Sequence, residues 1–290
     1  MSFRPDEYVR ATTVRQVTDI LEQHGESAVI LAGGTELHEL IAKGMIPQAK
    51  KLIDVSELDL SYIREDDQTV KIGSVTKLCD VRDAPIFNSN VAYSALRDAA
   101  DILPLQIVEV GTIGGNICAG LPILNFPPVT VAVGANLKAT GPQGERIIRA
   151  EDFFLDYFLT ALSPSEFLTE IQIPKFPDRT ATIFKSHKIL SVDYSTVSTA
   201  VRVTLDRKDK CSEVGIVFGS VGRIPMRARK AEDKLRGSDL SQKYIDAALD
   251  TIPKNIEPIS DLRATANYRK EVSRVLAEEA LNKAKKIILG

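Results

Sequence analysis

The stretch from residue 28 to residue 55 constrains the fold more than any other part of the sequence. Its first residues, Ala28–Ala32, form a short and wholly apolar run, which is typical of a buried strand. A Gly-Gly pair at 33–34 breaks that run, and Thr35-Glu36 can then begin a short helix. A second strand-like run follows at residues 52–55. The pattern therefore predicts a strand–helix–strand unit with a glycine-rich turn after its first strand.

Helical and extended patterns are mixed in the next segment, which we place at about residues 57–176. Apolar spacing predicts a helix over residues 94–102. Three prolines between residues 122 and 128 disfavour a helix directly after them, because proline lacks a backbone N–H. We therefore expect an extended segment over residues 129–137.

A smaller C-terminal domain is predicted at residues 180–290, after a proline-bracketed linker. Apolar residues alternate with period two over 201–205 and 214–218, which indicates an antiparallel hairpin. Three helices should follow: one that begins at Pro225 and ends at Gly237, one over 241–252 and one over 267–288. The fold class is therefore α+β, with a first domain at residues 1–176 whose subdomains cover about 1–56 and 57–176.

Charge and composition exclude several classes of partner. The chain has 37 Lys and Arg residues against 39 Asp and Glu residues, a formal net charge of −2. Such a balance gives no general attraction to nucleic acid or to anionic membranes. No apolar run approaches the roughly 20 residues that span a bilayer, and residues 1–7 lack the features of a secretory signal. We expect a cytoplasmic protein with no nucleic-acid partner and no membrane span.

Several common chemistries lack their residues. The chain has three histidines, and an H-E-x-x-H zinc motif that begins at His38 fails at Ala42. G-x-S-x-G, the P-loop and G-x-G-x-x-G are all absent. Three widely spaced cysteines indicate free thiols, and they are fewer than the roughly four thiolates of an all-cysteine iron–sulfur cluster. The sequence therefore predicts no catalytic side chain and no metal site.

Two Gly-Gly pairs remain as candidate binding elements. The first, at 33–34, is followed by the hydroxyl of Thr35, and the second, at 114–115, lies between Thr112 and Asn116. Glycine lets the main chain approach a ligand closely, and successive backbone N–H groups can surround an anion. Two such turns suit a ligand with two linked phosphates. The alternative is that each pair is only a turn.

Both glycine loops occur in a known family pattern. Residues 32–37 match the A-G-G-T-[DE]-L flavin loop and residues 112–117 match the T-I-G-G-N loop. Further matches cover the segments Tyr8–Ala11, Gln106-Ile107, Ala150–Phe154, Glu170–Pro174, Pro225–Ala228, Ala231-Glu232 and Tyr268-Arg269. The whole chain thus resembles the FAD-binding medium subunit of the molybdenum hydroxylases, the family of xanthine dehydrogenase, carbon monoxide dehydrogenase and aldehyde oxidoreductase.

The resemblance implies an oxidoreductase subunit that carries FAD. It implies a two-part FAD-binding domain of the flavin-hydroxylase type, followed by the family's C-terminal domain. Its partners would be a large molybdenum-cofactor subunit and a small [2Fe-2S] subunit, in a dimer of heterotrimers. Electrons would pass from the clusters to FAD and then to an external acceptor.

The resemblance also implies which residues bind the cofactor. Residues 32–36 and 112–116 would surround the diphosphate, Ile102 would lie near the adenine, and Lys185 near the flavin ring. The alternative for Lys185 is a solvated lysine on a strand. The full predicted set is Ile30, Leu31, Ala32, Gly33, Gly34, Thr35, Glu36, Leu37, Ile102, Gly111, Thr112, Ile113, Gly114, Gly115, Asn116, Asn125, Ile171 and Lys185.

Two departures from the family pattern leave alternatives open. Asn125 stands where the family has an aspartate that contacts the nucleotide, and residues 188–190 replace its Arg-Arg pair. An assembly subunit without flavin, or a free-standing flavin oxidase, would also fit such a chain. A basic stretch at residues 223–237 predicts a solvated helix face, with an acidic partner surface as the first alternative and nucleic acid as the second.

Overall fold

The computed structural model describes residues 5–46, 49–190 and 193–290. Residues 1–4, part of the segment tested for a secretory signal, lie outside that range. Three parallel strands in the order β1–β3–β2 define an N-terminal subdomain. Its elements are β1 (Glu7–Arg10), α1 (Val14–His24), β2 (Ala28–Leu31), α2 (Thr35–Ala42) and β3 (Lys51–Asp54), with a 3₁₀ turn at Gly25–Ser27. The predicted strand–helix–strand unit is confirmed, because β2 and β3 pair in parallel around α2.

A five-stranded antiparallel sheet in the order β4–β5–β10–β6–β7 defines the middle subdomain. Its strands are β4 (Ile63–Glu65), β5 (Thr69–Gly73), β6 (Asn136–Gly141), β7 (Gly144–Arg149) and β10 (Phe167–Pro174). Its helices are α3 (Leu78–Asp83), α4 (Pro85–Ser89), α5 (Ser94–Asp101), α6 (Leu105–Val110), α7 (Ile113–Cys118), α8 (Phe126–Ala132) and α9 (Ala150–Phe153). A 3₁₀ turn at Val91–Tyr93 precedes α5, and a small hairpin of β8 (Phe154–Asp156) and β9 (Leu159–Thr160) follows α9.

The C-terminal domain has a four-stranded antiparallel sheet in the order β11–β12–β13–β14. Its elements are β11 (Thr180–His187), β12 (Val197–Leu205), β13 (Cys211–Gly219), β14 (Met226–Arg227), α10 (Arg229–Leu235), α11 (Gln242–Leu249), α12 (Ile252–Asn255) and α13 (Ala266–Leu289). The predicted hairpin is confirmed as β12 and β13. The residue boundaries that we expected for the domains stay predictions.

Apolar packing joins the three parts. The core of the N-terminal subdomain includes Val75 and Phe167 of the middle subdomain. The core of the middle subdomain likewise includes Phe184, Ala200 and Val217 of the C-terminal sheet. Because these shared side chains are buried, separating the parts would expose apolar surface to water. The junctions between them are therefore fixed by packing.

Ion pairs add to the junction between the middle subdomain and the C-terminal domain. Arg223 lies 2.7 Å from Asp156, and Arg227 and Arg229 both reach Glu151. Three arginines of the basic stretch therefore meet carboxylates of the same chain. The predicted exposure to solvent holds only for the remaining exposed positions of that stretch, such as Lys230 and Lys234.

Two expectations about prolines are wrong. Residues 126–132 form helix α8, with Pro127 and Pro128 in its first turn. A first-turn N–H has no partner inside the helix, so proline costs little there. The extended strand begins only at Asn136. Pro225 likewise precedes the short strand β14, and α10 begins at Arg229.

Candidate functional site

A cavity of about 640 Å³ lies where the two subdomains and the C-terminal domain meet. Strand β2 and the start of α2 line it on one side, and the start of α7 lines it on another. The C-terminal domain contributes Lys188 and residues 193–195. The volume falls in the range of about 300–1,000 Å³ that is usual for small-molecule sites.

Most of the predicted cofactor residues line this cavity. Both glycine loops contribute, although they are about 80 positions apart in the sequence. The predicted residues on its wall are Ile30, Ala32, Gly33, Gly34, Thr35, Glu36, Leu37, Gly111, Thr112, Gly114, Gly115, Asn116 and Asn125. Val29 and Ile30 of the apolar strand β2 line this cavity, and both are only partly buried.

The two loops touch each other at Gly33. A Cβ atom built on Gly33 would lie 2.2 Å from the carbonyl oxygen of Val110 and 2.7 Å from the Cα of Gly111. Both contacts are with backbone, so no side-chain rotation can relieve them. Glycine at 33 is therefore required for the first loop to pack against the residues that lead into the second.

The first loop presents a helix N-terminus to the cavity. Gly34 is the N-cap of α2 and has a left-handed backbone with φ +73°, which favours glycine. It supplies no side-chain cap for the first-turn N–H groups. Those groups and the helix dipole favour a negatively charged ligand. Thr35, Glu36 and Leu37 of that turn all line the cavity.

The second loop differs from the predicted turn, because residues 113–118 form helix α7. The Gly115 N–H donates to Thr112 Oγ1 at 3.1 Å, and the Gly114 N–H donates to the Ser74 carbonyl at 2.8 Å. These two amides are already used and do not form the anion nest that we expected. Gly114 is buried against Ser74, whereas Gly115 is exposed. The second loop therefore offers a bare backbone surface at Gly115.

Five predicted residues do not line the cavity. Ile113 and Ile171 are fully buried in the core of the middle subdomain, which also packs against Ile102. Leu31 is half-buried beside Gly34, where a Cβ would lie 3.1 Å from its Cδ1. Lys185 belongs to β11, and its Nζ lies 2.7 Å from Glu279 on α13. The contacts of these five residues with the cofactor stay predictions.

Lys188 is a cavity residue that we did not predict. It is the one Lys, Arg or His among the described residues on the cavity wall. Its Nζ donates to the carbonyl of Ile102 at 2.8 Å. Burial lowers the pKa of this ammonium, and the nearby carboxylate of Asp193 acts in the opposite direction. Sequence alone gave no signal, because an isolated lysine after a strand is usually solvated.

A tyrosine and two glutamates form a second polar group on the wall. The Tyr194 hydroxyl donates to a carboxylate oxygen of Glu39 and lies 3.3 Å from Glu36. Burial and the like charge of Glu39 raise the pKa of Glu36. The Lys43 ammonium and the Tyr194 hydroxyl lower the pKa of Glu39. Burial and the bond to Glu39 raise the pKa of Tyr194, which therefore stays a neutral donor.

The amide of Asn125 is satisfied within the protein. Its Nδ2 donates to the carbonyl of Ala99 at 2.8 Å, and its Oδ1 lies 3.4 Å from Ser195 Oγ. An aspartate would place a carboxylate oxygen against the Ala99 carbonyl, and two acceptors repel each other. The departure from the family pattern at this position therefore fits its surroundings.

The wall as a whole fits a dinucleotide such as FAD. It combines a helix N-terminus for a diphosphate, a bare glycine surface and long apolar stretches for planar rings. Across residues 5–46, 49–190 and 193–290, no group of three or more His, Cys, Asp or Glu side chains is placed to hold a metal ion. No helix in the same ranges is long and apolar enough to cross a bilayer.

Comparisons with known proteins match both domains. Residues 1–176 match the model for the FAD binding domain in molybdopterin dehydrogenase. Residues 182–284 match the model for the CO dehydrogenase flavoprotein C-terminal domain. The first match alone covers more than half of the chain.

Individual relatives agree over nearly the whole chain. The carbon monoxide dehydrogenase medium chain of Hydrogenophaga pseudoflava is 31% identical, over 96% of each chain. The 6-hydroxypseudooxynicotine dehydrogenase complex subunit alpha of Paenarthrobacter nicotinovorans is 30% identical, over 96% of this chain and 94% of its own. A solved carbon monoxide dehydrogenase from Hydrogenophaga pseudoflava has a TM-score of 0.92 at 31% identity, over 98% of both chains. The chain therefore belongs to the FAD-binding medium subunits of the molybdenum hydroxylase family, and it is an oxidoreductase subunit whose cofactor is FAD.

Proposed function

We propose that FAD occupies this cavity with its diphosphate between the first turn of α2 and the surface of Gly115. The observation that carries the proposal is the backbone contact at Gly33, which holds the two glycine loops on adjoining walls of one cavity. The N–H groups of residues 35–37 would donate to the phosphate oxygens. Lys188 would supply positive charge to the same ligand.

We further propose that the chain relays electrons in the cytoplasm. FAD supplies, when bound, a carrier that links one-electron clusters to an external acceptor. A small [2Fe-2S] subunit would deliver the electrons, and a large molybdenum-cofactor subunit would oxidise the substrate, in a dimer of heterotrimers. The names of the relatives support a multi-subunit complex, since they are medium chains or lettered subunits. With three cysteines, this chain needs its clusters from a partner.

The residues of the wall would have distinct roles. Apolar residues such as Val29, Ile30 and Ile107 would exclude water from the flavin. The Lys188 ammonium would stabilise negative charge on the reduced cofactor and so raise its potential. The Tyr194 hydroxyl would hold Glu36 and Glu39 in place, away from the phosphates.

A relay can be tested against the alternative of an assembly subunit without flavin. We would purify the native complex, measure its FAD content, and prepare a matched complex with Gly115→Leu, whose side chain would fill the diphosphate position. Both complexes would be reduced and then mixed with oxygen, NAD or a quinone. We expect the clusters of the native complex to be reoxidised by one of these acceptors and those of the variant to be reoxidised far more slowly.

Two outcomes would contradict the proposal. A native complex that contains no FAD would favour the assembly subunit. Equal rates of cluster reoxidation with and without FAD would show that electrons leave by another route.

A further inference from the structure

The C-terminal domain reaches the cavity through Lys188 and through one short segment. We define the cavity-wall segment as residues 193–196, of which Asp193, Tyr194 and Ser195 line the cavity. Its last residue, Thr196, donates its N–H to the carbonyl of His187 at 2.8 Å. Lys188 follows His187 directly, so the two C-terminal contributions to the wall begin from one backbone hydrogen bond.

Residues of the first turn of α13 contact both Thr196 and His187. Arg269 donates through Nη1 to the carbonyls of Thr196 and Ser220, and through Nη2 to Asp261 at 2.7 Å. The neighbouring Tyr268 has its hydroxyl 2.9 Å from Nε2 of His187. Two adjacent residues of one helix thus contact both ends of the backbone that leads into the wall.

A contribution to stability is a poor explanation for the burial of Arg269. It is 2% exposed, and its carboxylate partner Asp261 has a side chain that is 35% exposed. Its Nε and the hydroxyls of Thr196 and Ser220 have no hydrogen-bond partner among the described residues. Buried polar groups without partners destabilise a fold, and apolar replacements of such charges often stabilise it. Stability alone therefore does not explain an arginine at this position.

We propose that Tyr268 and Arg269 are positioning residues that set the cavity-wall segment and Lys188 against bound FAD. The inference rests on the proposed location of FAD in this cavity. Arg263 assists by placing its guanidinium 3.3 Å from Asp193. Without these contacts, Tyr194 and Lys188 would lose conformational freedom only when FAD binds. That entropic cost would weaken the binding of FAD.

The test measures FAD affinity and flavin properties in the assembled complex. Tyr268→Phe removes one hydrogen bond from an exposed side chain, so we expect FAD to bind about fivefold more weakly. Tyr244→Phe, at an exposed tyrosine of α11, is the matched control. Arg269→Gln should have a larger effect than Tyr268→Phe, and Arg269→Lys should restore part of the affinity. The absorbance bands and the reduction potential of the bound flavin should shift with Tyr268→Phe and Arg269→Lys but not with the control.

Each result has a defined meaning. If Tyr268→Phe lowers only the unfolding temperature and leaves the FAD dissociation constant, the spectrum and the potential unchanged, the positioning role is wrong. This variant decides the question even if Arg269→Gln does not fold. If Gly115→Leu retains FAD, the cavity assignment itself fails. If Gly115→Leu loses FAD while Tyr268→Phe behaves as the control does, only the positioning role fails.

Discussion

Replacing Gly33 with alanine should destabilise the protein at the contact between its two glycine loops. The new Cβ would lie 2.2 Å from the carbonyl oxygen of Val110, so the loops would have to separate by roughly 1 Å to reach ordinary van der Waals contact. Overpacking of a rigid site costs about 1–3 kcal/mol. Since both neighbours are backbone, we expect a loss near the upper end, about 3 kcal/mol.

Gly115→Ala is the matched control for this substitution. Its Cβ would meet only Thr112 Oγ1, at 2.9 Å, and would disturb the cap of α7. Loss of that cap costs about 1 kcal/mol, and alanine regains about 1 kcal/mol over glycine inside a helix. The expected change in stability is therefore close to zero, while FAD affinity should fall because a methyl group enters the cavity.

Urea unfolding of the FAD-free chain separates the two variants. Gly33→Ala should unfold at a clearly lower urea concentration than the parent, and Gly115→Ala at nearly the same concentration. Equal midpoints for Gly33→Ala and the parent would show that the loops are not held in contact at Gly33, which would refute the reasoning.

Two further predictions concern charge. Glu36→Gln should raise the stability of the FAD-free chain at pH 8, because burial raises the pKa of Glu36 and its ionised form opposes folding above that pKa. The gain should become small near pH 4, where the carboxyl is mostly protonated in both states, and urea unfolding at both pH values checks it; a loss at both would contradict it. Lys188→Gln should lower the reduction potential of bound FAD by roughly 30 mV, the equivalent of about 1.4 kcal/mol for a two-electron couple. Lys185→Gln should change the reduction potential less, since Lys185 pairs with Glu279. A spectroelectrochemical titration of both variants checks this prediction. A larger change in Lys185→Gln than in Lys188→Gln would identify Lys185 as the lysine near the flavin.

Short-range sequence patterns predicted those elements whose structure depends on residues close to one another in the sequence. The glycine-rich turn before Thr35, the β12–β13 hairpin and the long helix α13 each follow from short-range spacing. The helix α8 did not, because the rule against proline applies to a helix interior and Pro127 and Pro128 occupy its first turn.

The contribution of the C-terminal domain to the cavity could not be predicted from spacing. Lys188 and Tyr194 approach residues more than 80 positions away, so their role depends on how the domains pack. Lys185 lies within β11, where the strand holds its side chain towards α13, whereas Lys188 lies just beyond the last residue of that strand. A shift of three residues thus separates a lysine on the α13 side from one on the cavity wall.

The most direct test of the central claim is an experimental structure of the FAD-loaded complex. The account predicts diphosphate oxygens within hydrogen-bond distance of the N–H groups of residues 35–37, with the Gly115 backbone in van der Waals contact on the other side. A diphosphate bound elsewhere on the chain, or side chains of the same subunit filling the space between α2 and α7, would contradict it.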